Sequence, residues 1–234
     1  MPTLAGVWRT AHVNRYVKKV TIGEKNEKGL SVRVDWVLSD IQVPYMMEYL
    51  IRDNGTIIVT GSIDLTGTKL PELPRFGMRM ELHQPYENLT YYGRGPLENY
   101  IDRYSSSFIG RYENKVENQF YWYIRPQETG NKTDVRWLTL LDSEGQGVRI
   151  TGLQPVAFSA LHFSPEDLDP GLTRKLQHTI DIVPQKNIFL HVDLRQRGLG
   201  GDNSWGMYPH NEYRLLDKKY TYSYMIELVE KGSD

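Results

Sequence analysis

Four glycines, an aspartate, an asparagine, a serine and a tryptophan share one short run, Gly198-Leu199-Gly200-Gly201-Asp202-Asn203-Ser204-Trp205-Gly206. Glycine reaches backbone angles that other residues avoid and lets a ligand approach the chain closely. Such a loop can hold an indole at its tip without covering it. A flat aromatic face beside Asp202, Asn203 and backbone amides suits a sugar, which offers an apolar C–H face to the ring and hydroxyls to the rim. The alternative is a tight turn whose Trp205 packs inward, since tryptophan is highly buried on average.

A second concentration of chemistry is Tyr91-Tyr92-Gly93-Arg94-Gly95-Pro96-Leu97-Glu98-Asn99-Tyr100-Ile101-Asp102-Arg103, and a third is Tyr121-Trp122-Tyr123-Ile124-Arg125-Pro126-Gln127-Glu128-Thr129-Gly130. The charged groups have two readings: a polar ligand rim, or bidentate bridges from Arg94, Arg103 and Arg125 to Glu98, Asp102 or Glu128 that pin long loops to a sheet. The structural reading is favoured. Glycoside hydrolysis needs two carboxyl groups flanking one bond. Glu98, Glu128, Glu144 and Glu212 are nominees, but nothing in the sequence pairs them.

Other chemistries find little support. His12, His83, His162, His178, His191 and His210 are scattered, without the i,i+4 spacing of a helical zinc site. His191 sits in a strand pattern and reads as a hydrogen-bonded structural residue. Asp202-Asn203-Ser204 falls short of a calcium loop, and Ser105-Ser106-Ser107 has no nucleophile elbow around it. Asn88-Leu89-Thr90 and Asn131-Lys132-Thr133 match the glycosylation acceptor, a weak motif that requires a secretory route.

The elements that must position these residues are strands. The chain has 234 residues, long enough for a substantial core, and carries 16 Tyr, 5 Trp and 6 Phe, side chains at home in sheets and on wet binding surfaces. Lys and Arg number 28 against 29 Asp and Glu, so no basic footprint points to nucleic acid. There is no cysteine, hence no disulfide, thiolate metal site or thiol nucleophile. No apolar run is long enough to span a bilayer as a helix, and residues 1–13 do not look like a secretory signal.

Alternation and turn residues predict strands at 30–38, 46–51, 56–65, 77–83, 135–142, 147–151, 179–182, 188–194, 211–215 and 221–229. Asp53-Asn54-Gly55 and Ser143-Glu144-Gly145-Gln146 read as tight turns. In the last strand, Tyr220, Tyr222 and Tyr224 share one face, and Thr221, Ser223 and Met225 the other. The single helical expectation is 164–168, with Ser164 as cap, Pro165 at the first position and Glu166-Asp167 in the first turn. No linker or repeat divides the chain, which reads as one domain, residues 1–234, with an all-β fold: a large antiparallel sandwich.

The segment 92–103, the run 125–130 and the loop 200–206 occur in this order with separations that resemble the C-terminal, small-chain domain of β-galactosidases of glycoside hydrolase family 2. The resemblance covers essentially the whole chain. It implies a β-supersandwich related to galactose mutarotase, the last of five domains in a lactose-cleaving, usually homo-oligomeric bacterial enzyme. In that family the tryptophan of this loop, matching Trp205, stacks on the substrate in the active site. Gly200, Gly201, Asp202, Asn203 and Ser204 then carry over as loop-shaping residues. Arg94, Glu98, Asn99, Asp102, Arg103, Arg125 and Glu128 carry over as structural ones.

The same resemblance places the catalytic glutamates on a (β/α)₈ barrel for which a strand-rich chain of this length has no room. It implies magnesium and sodium in the full enzyme, with no ligands identifiable here, so no cofactor or metal is expected in this chain. The family domain also starts earlier, with an Arg-Ala-Pro-rich motif absent here. The expectation is an excised piece, with Met1 added at its boundary and the first strands missing, leaving an exposed edge. Its partners are expected to be a galactoside and the other domains of one polypeptide, with neither nucleic acid nor membrane. The compartment, cytoplasmic or periplasmic, is left open because any signal would lie upstream. Two other readings stay beside this one: an independent mutarotase-like epimerase, and a free carbohydrate-binding module.

Overall fold

The computed structural model describes residues 5–169, 178–203 and 205–232. Among the described residues, eleven strands and two short helices make up the regular elements, apart from three single 3-10 turns. In chain order the helix α1 (Val7–Ala11) precedes β1 (Arg15–Ile22), β2 (Leu30–Leu38), β3 (Val43–Ile51) and β4 (Ile57–Asp64). Then come β5 (Arg75–Leu82), β6 (Asn88–Gly95), β7 (Phe108–Lys115), β8 (Lys132–Leu141) and β9 (Gly147–Leu161). After α2 (Pro165–Leu168), β10 (Ile188–Gln196) and β11 (Lys219–Val229) complete the fold.

Every strand pairing is antiparallel. The main path runs β1-β2-β3-β4-β11-β9-β8-β6-β7, and β10 joins β9 to β5. The long strand β9 connects the layers. Its first half, up to Gly152, lies between β11 and β8. Its second half, Ala157 to Leu161, pairs with β10. The bend between them falls at Gly152, where a Cβ would stand 2.3 Å from the Gln154 carbonyl oxygen.

The two layers close on the tyrosine face of β11. Tyr220, Tyr222 and Tyr224 are buried and Thr221 is exposed, as the period of two requires. Phe76 of β5 meets the Tyr222 ring edge-on at 5.5 Å. The Tyr222 hydroxyl donates to the Val192 carbonyl of β10 at 3.1 Å, so a large ring enters the core with its polar tip satisfied. Around this contact lies the main core, with Leu138, Ile150, Phe158 and Leu190 among its members. A second core packs α1 beneath β3 and β4 through Trp8, Val43 and Ile63.

Apart from β6, strands with one buried face overlap the ranges expected from the sequence. The α2 helix also follows its sequence signals: the Ser164 hydroxyl accepts from the Asp167 amide, and the Asp167 carboxylate accepts from the Ser164 amide at 2.7 Å.

Two expected strands are corrected to 3-10 turns, Thr179–Asp181 and Asn211–Tyr213. In the first, Asp181 accepts from the His178 amide and Ile180 projects into solvent, so alternation there serves no sheet face. In the second, only Leu215 pairs, in an isolated bridge to Leu73. Three strands, β1, β6 and β7, have no expectation to match. All of β1 is exposed, so it carries no inward–outward pattern. Two inward positions of β6 are glycines, Gly93 against Val135 and Gly95 against Tyr91 and Tyr112, and they are invisible to hydrophobic periodicity.

Candidate functional site

The glycine-rich loop leaves β10 through a buried neck. The Gly198 amide donates to the Tyr213 carbonyl at 2.7 Å, and the Arg197 amide to the Pro74 carbonyl at 3.0 Å. Glu72 lies between two guanidinium groups, with Oε1 3.2 Å from Arg197 and Oε2 2.7 Å from Arg214. Both guanidinium groups also stand over the Tyr208 ring, at 5.8 and 4.6 Å. The entry and the exit of the loop are therefore tied to one carboxylate.

Asp102 fixes the loop from behind, its Oδ2 accepting the Gly200 amide at 2.8 Å. A Cβ on Gly198 would stand 2.7 Å from the Asp102 carboxyl carbon, and one on Gly201 would stand 2.3 Å from the Met207 carbonyl oxygen. These approaches require glycine. Asp202 bridges to His210 Nε2 at 2.8 Å, and this carboxylate raises the imidazole above its usual pKa. The Asn203 side chain accepts the Trp205 amide at 2.8 Å, and Gly206 takes φ +98°. Trp205 ends 92% exposed. In this structure the ring does not pack inward. Ser204 lies outside the described residues.

The second segment binds one loop to the next through Glu98 and Asn99. Glu98 Oε1 accepts from Arg103 at 2.6 Å and from the Tyr123 hydroxyl, and Oε2 accepts from the Thr129 hydroxyl at 2.9 Å and the Gly130 amide at 2.7 Å. Asn99 has no exposed surface. Its amide nitrogen donates to the carbonyls of Arg94 and Leu97, and its oxygen accepts from the Thr133 amide at 2.9 Å and the Thr133 hydroxyl at 2.5 Å. Every polar atom is used, as burial demands.

The expected arginine bridges are corrected in detail. Arg103 does pair with Glu98, but Arg94 takes Asp134 of β8. Arg125 is exposed and makes no ion pair among the described residues. Asp102 receives the Gly200 amide instead of a guanidinium, and Glu128 goes to Arg75 at 3.1 Å.

That arginine is the centre of a cluster absent from the sequence reading. Arg75 Nε lies 2.9 Å from Asp193, and Nη2 donates to Gln196 at 2.7 Å. Nη1 lies 3.1 Å from His191 Nδ1, which therefore accepts. Burial, then the nearby positive charge of Arg75, drives His191 down to about 2, so the imidazole is neutral. Burial also pushes the Asp193 carboxyl up to about 7, with Arg75 opposing the shift. The available signal was an aspartate and a histidine inside the apolar strand pattern of 188–194. Lys132 is another hidden group. It is buried with Nζ donating to Gln119 and Gly130, and desolvation lowers it to about 8. The acceptor motif at 131–133 is accordingly interior, since Asn131 is buried too.

The four glutamate nominees have separate fates. Glu98 and Glu128 are engaged in the contacts above. Glu144 reaches Lys231 at 3.4 Å on an exposed turn, and Glu212 lies 4.0 Å from His210. Among the described residues no three His, Asp or Glu side chains could hold a metal ion. The arrangement offers a rigid aromatic platform with polar shoulders and no identified acid–base pair.

The family described as beta galactosidase small chain matches residues 2–226. A β-galactosidase of Priestia megaterium is 33% identical over 94% of this chain and 21% of its own length. Another from Streptococcus thermophilus is 34% identical over 89% of this chain and 20% of its own length. The chain thus spans about a fifth of these curated relatives. Among solved structures, a galactose mutarotase related enzyme from Lactobacillus acidophilus is similar at TM-score 0.41 and 6% identity, over 92% of this chain and 73% of that one.

Proposed function

This chain belongs to the β-galactosidase small-chain family, and we propose that it serves a β-galactosidase as a non-catalytic domain that completes a galactoside site with Trp205. The observation that carries this reading is the combination of an almost fully exposed indole and a loop tethered by Asp102, by the Asp202–His210 bridge and by Asn203. The Glu72 clamp, the Asp102 anchor and the Asn203 turn limit the motion that binding would have to arrest, so less ordering entropy opposes contact with a ligand. The apolar C–H face of a galactoside lies against the indole, and its hydroxyls face the polar shoulders of the loop. Bond cleavage is assigned to carboxyl groups on other domains of the same polypeptide. Those domains, an oligomeric assembly, and magnesium and sodium sites belong to that larger enzyme in this reading, and no step here runs through a metal.

The test is an assay of the purified chain with a chromogenic β-galactoside at high protein concentration. Background hydrolysis is the expected result. Turnover that survives stringent purification, and is lost on replacing one glutamate of this chain, would overturn the assignment.

A further inference from the structure

A cleft of about 470 Å³ opens beside the neck of the Trp205 loop, between the 100–104 turn, the inner ends of β8 and β10, the bend of β9 and the Asn211–Tyr213 turn. Its volume is that of a small-molecule site. Trp205 is not part of its wall.

The wall combines flat rings with one uncommitted polar donor. Tyr100, Tyr104 and Tyr213 contribute aromatic rings, and Pro155, Val156 and Leu194 contribute apolar surface. Gln196 is buried with its carbonyl oxygen held by Arg75 at 2.7 Å, and its amide nitrogen has no partner among the described residues. Asn131 is the mirror case. Its nitrogen donates to the Asn99 carbonyl at 2.8 Å, and its buried oxygen has no partner among the described residues. The buried Tyr100 hydroxyl has no partner among the described residues either. Gln196 Nε2 therefore offers the cleft one fixed, unspent donor, whereas Asn131 Oδ1 and the Tyr100 hydroxyl are sealed behind its wall.

Charge in the cleft is nearly balanced. Asp134 is paired with Arg94, and the Arg195 guanidinium donates to the Glu212 carbonyl at 2.8 Å. Neither a phosphate nor a strongly cationic ligand finds a matching field. A ligand with an apolar face, several hydroxyls and no charge does. We propose that this cleft binds a single neutral sugar residue, at a site separate from the Trp205 face.

Saturation-transfer NMR on the 234-residue chain tests this, with methyl β-D-galactopyranoside as probe and glucuronate as the charged comparator. The probe binds with a dissociation constant of about 1 mM, ordinary for one sugar ring with few contacts, and the charged comparator binds more weakly. Gln196→Glu keeps an acceptor for Arg75 but removes the free N–H donor, and weakens binding about tenfold. Tyr104→Ala, at a partly exposed position, does the same by removing a ring. Trp205→Ala leaves binding in place. No transfer to the wild-type chain well above that concentration would overturn the proposal. So would binding that disappears in Trp205→Ala and persists in Tyr104→Ala.

Discussion

Leaving the Trp205 indole in water forgoes on the order of 3 kcal/mol of burial. The core is therefore indifferent to it, and Trp205→Ala should shift the melting temperature of the chain by no more than about 2 °C. A fall of many degrees in a thermal scan would mean that the indole packs in solution. Lys132 behaves in the opposite way. Its folded pKa of about 8 lies below the ordinary 10.5, so the unfolded chain holds this proton more tightly. The penalty is complete below pH 8 and is relieved as pH rises toward 10.5, where stability gains on the order of 3 kcal/mol from this group. Urea midpoints at pH 7 and pH 10 should show that gain in the wild type and not in Lys132→Met; parallel rises in the two proteins would remove Lys132 as the source. Neither the exposure of Trp205 nor the burial of Lys132 follows from residue type. Glycine spacing made the first readable, and nothing in the run Asn131-Lys132-Thr133 announced the second.

Loops in this fold are positioned by single side chains that serve several elements. Glu98 alone receives the Arg103 guanidinium, two hydroxyls and the Gly130 amide. Glu98→Ala would strand the buried Thr129 and Gly130 donors, at a cost of about 3 kcal/mol by chemical denaturation. Arg125→Ala should stay within about 0.5 kcal/mol, because its side chain is exposed and makes no ion pair among the described residues. Equal losses for the two variants would restore Arg125 to the bracing role that its sequence neighbourhood suggests. The motif residues were visible in the sequence, but their partners were not. Arg94 and Asp134 are brought together by the β6–β8 neighbourhood and by Asp134 itself, which takes φ +52° beside a register shift in β8. Strands such as β2 and β11 declare themselves by alternation. An edge strand exposed on both faces, or one that turns glycines inward, has no such signature, which is why β1 and β6 emerge only in three dimensions.

At the scale of the whole molecule, the antiparallel sandwich delivers the ends of β5 and β10 to one place. There Arg75, Asp193 and Gln196 form the floor, and Glu72 with Arg197 and Arg214 ties down the loop above. The chain spans about a fifth of its curated relatives, and the platform proposed above would act on a substrate held by other domains of a larger enzyme. The most direct measurement is the steady-state kinetics of Trp205→Ala in a complete β-galactosidase carrying this domain. Stacking on the sugar is largely established before the transition state, so KM should rise by an amount equivalent to about 1–3 kcal/mol while kcat falls much less. A KM unchanged from wild type would contradict the assignment of Trp205 to the galactoside site.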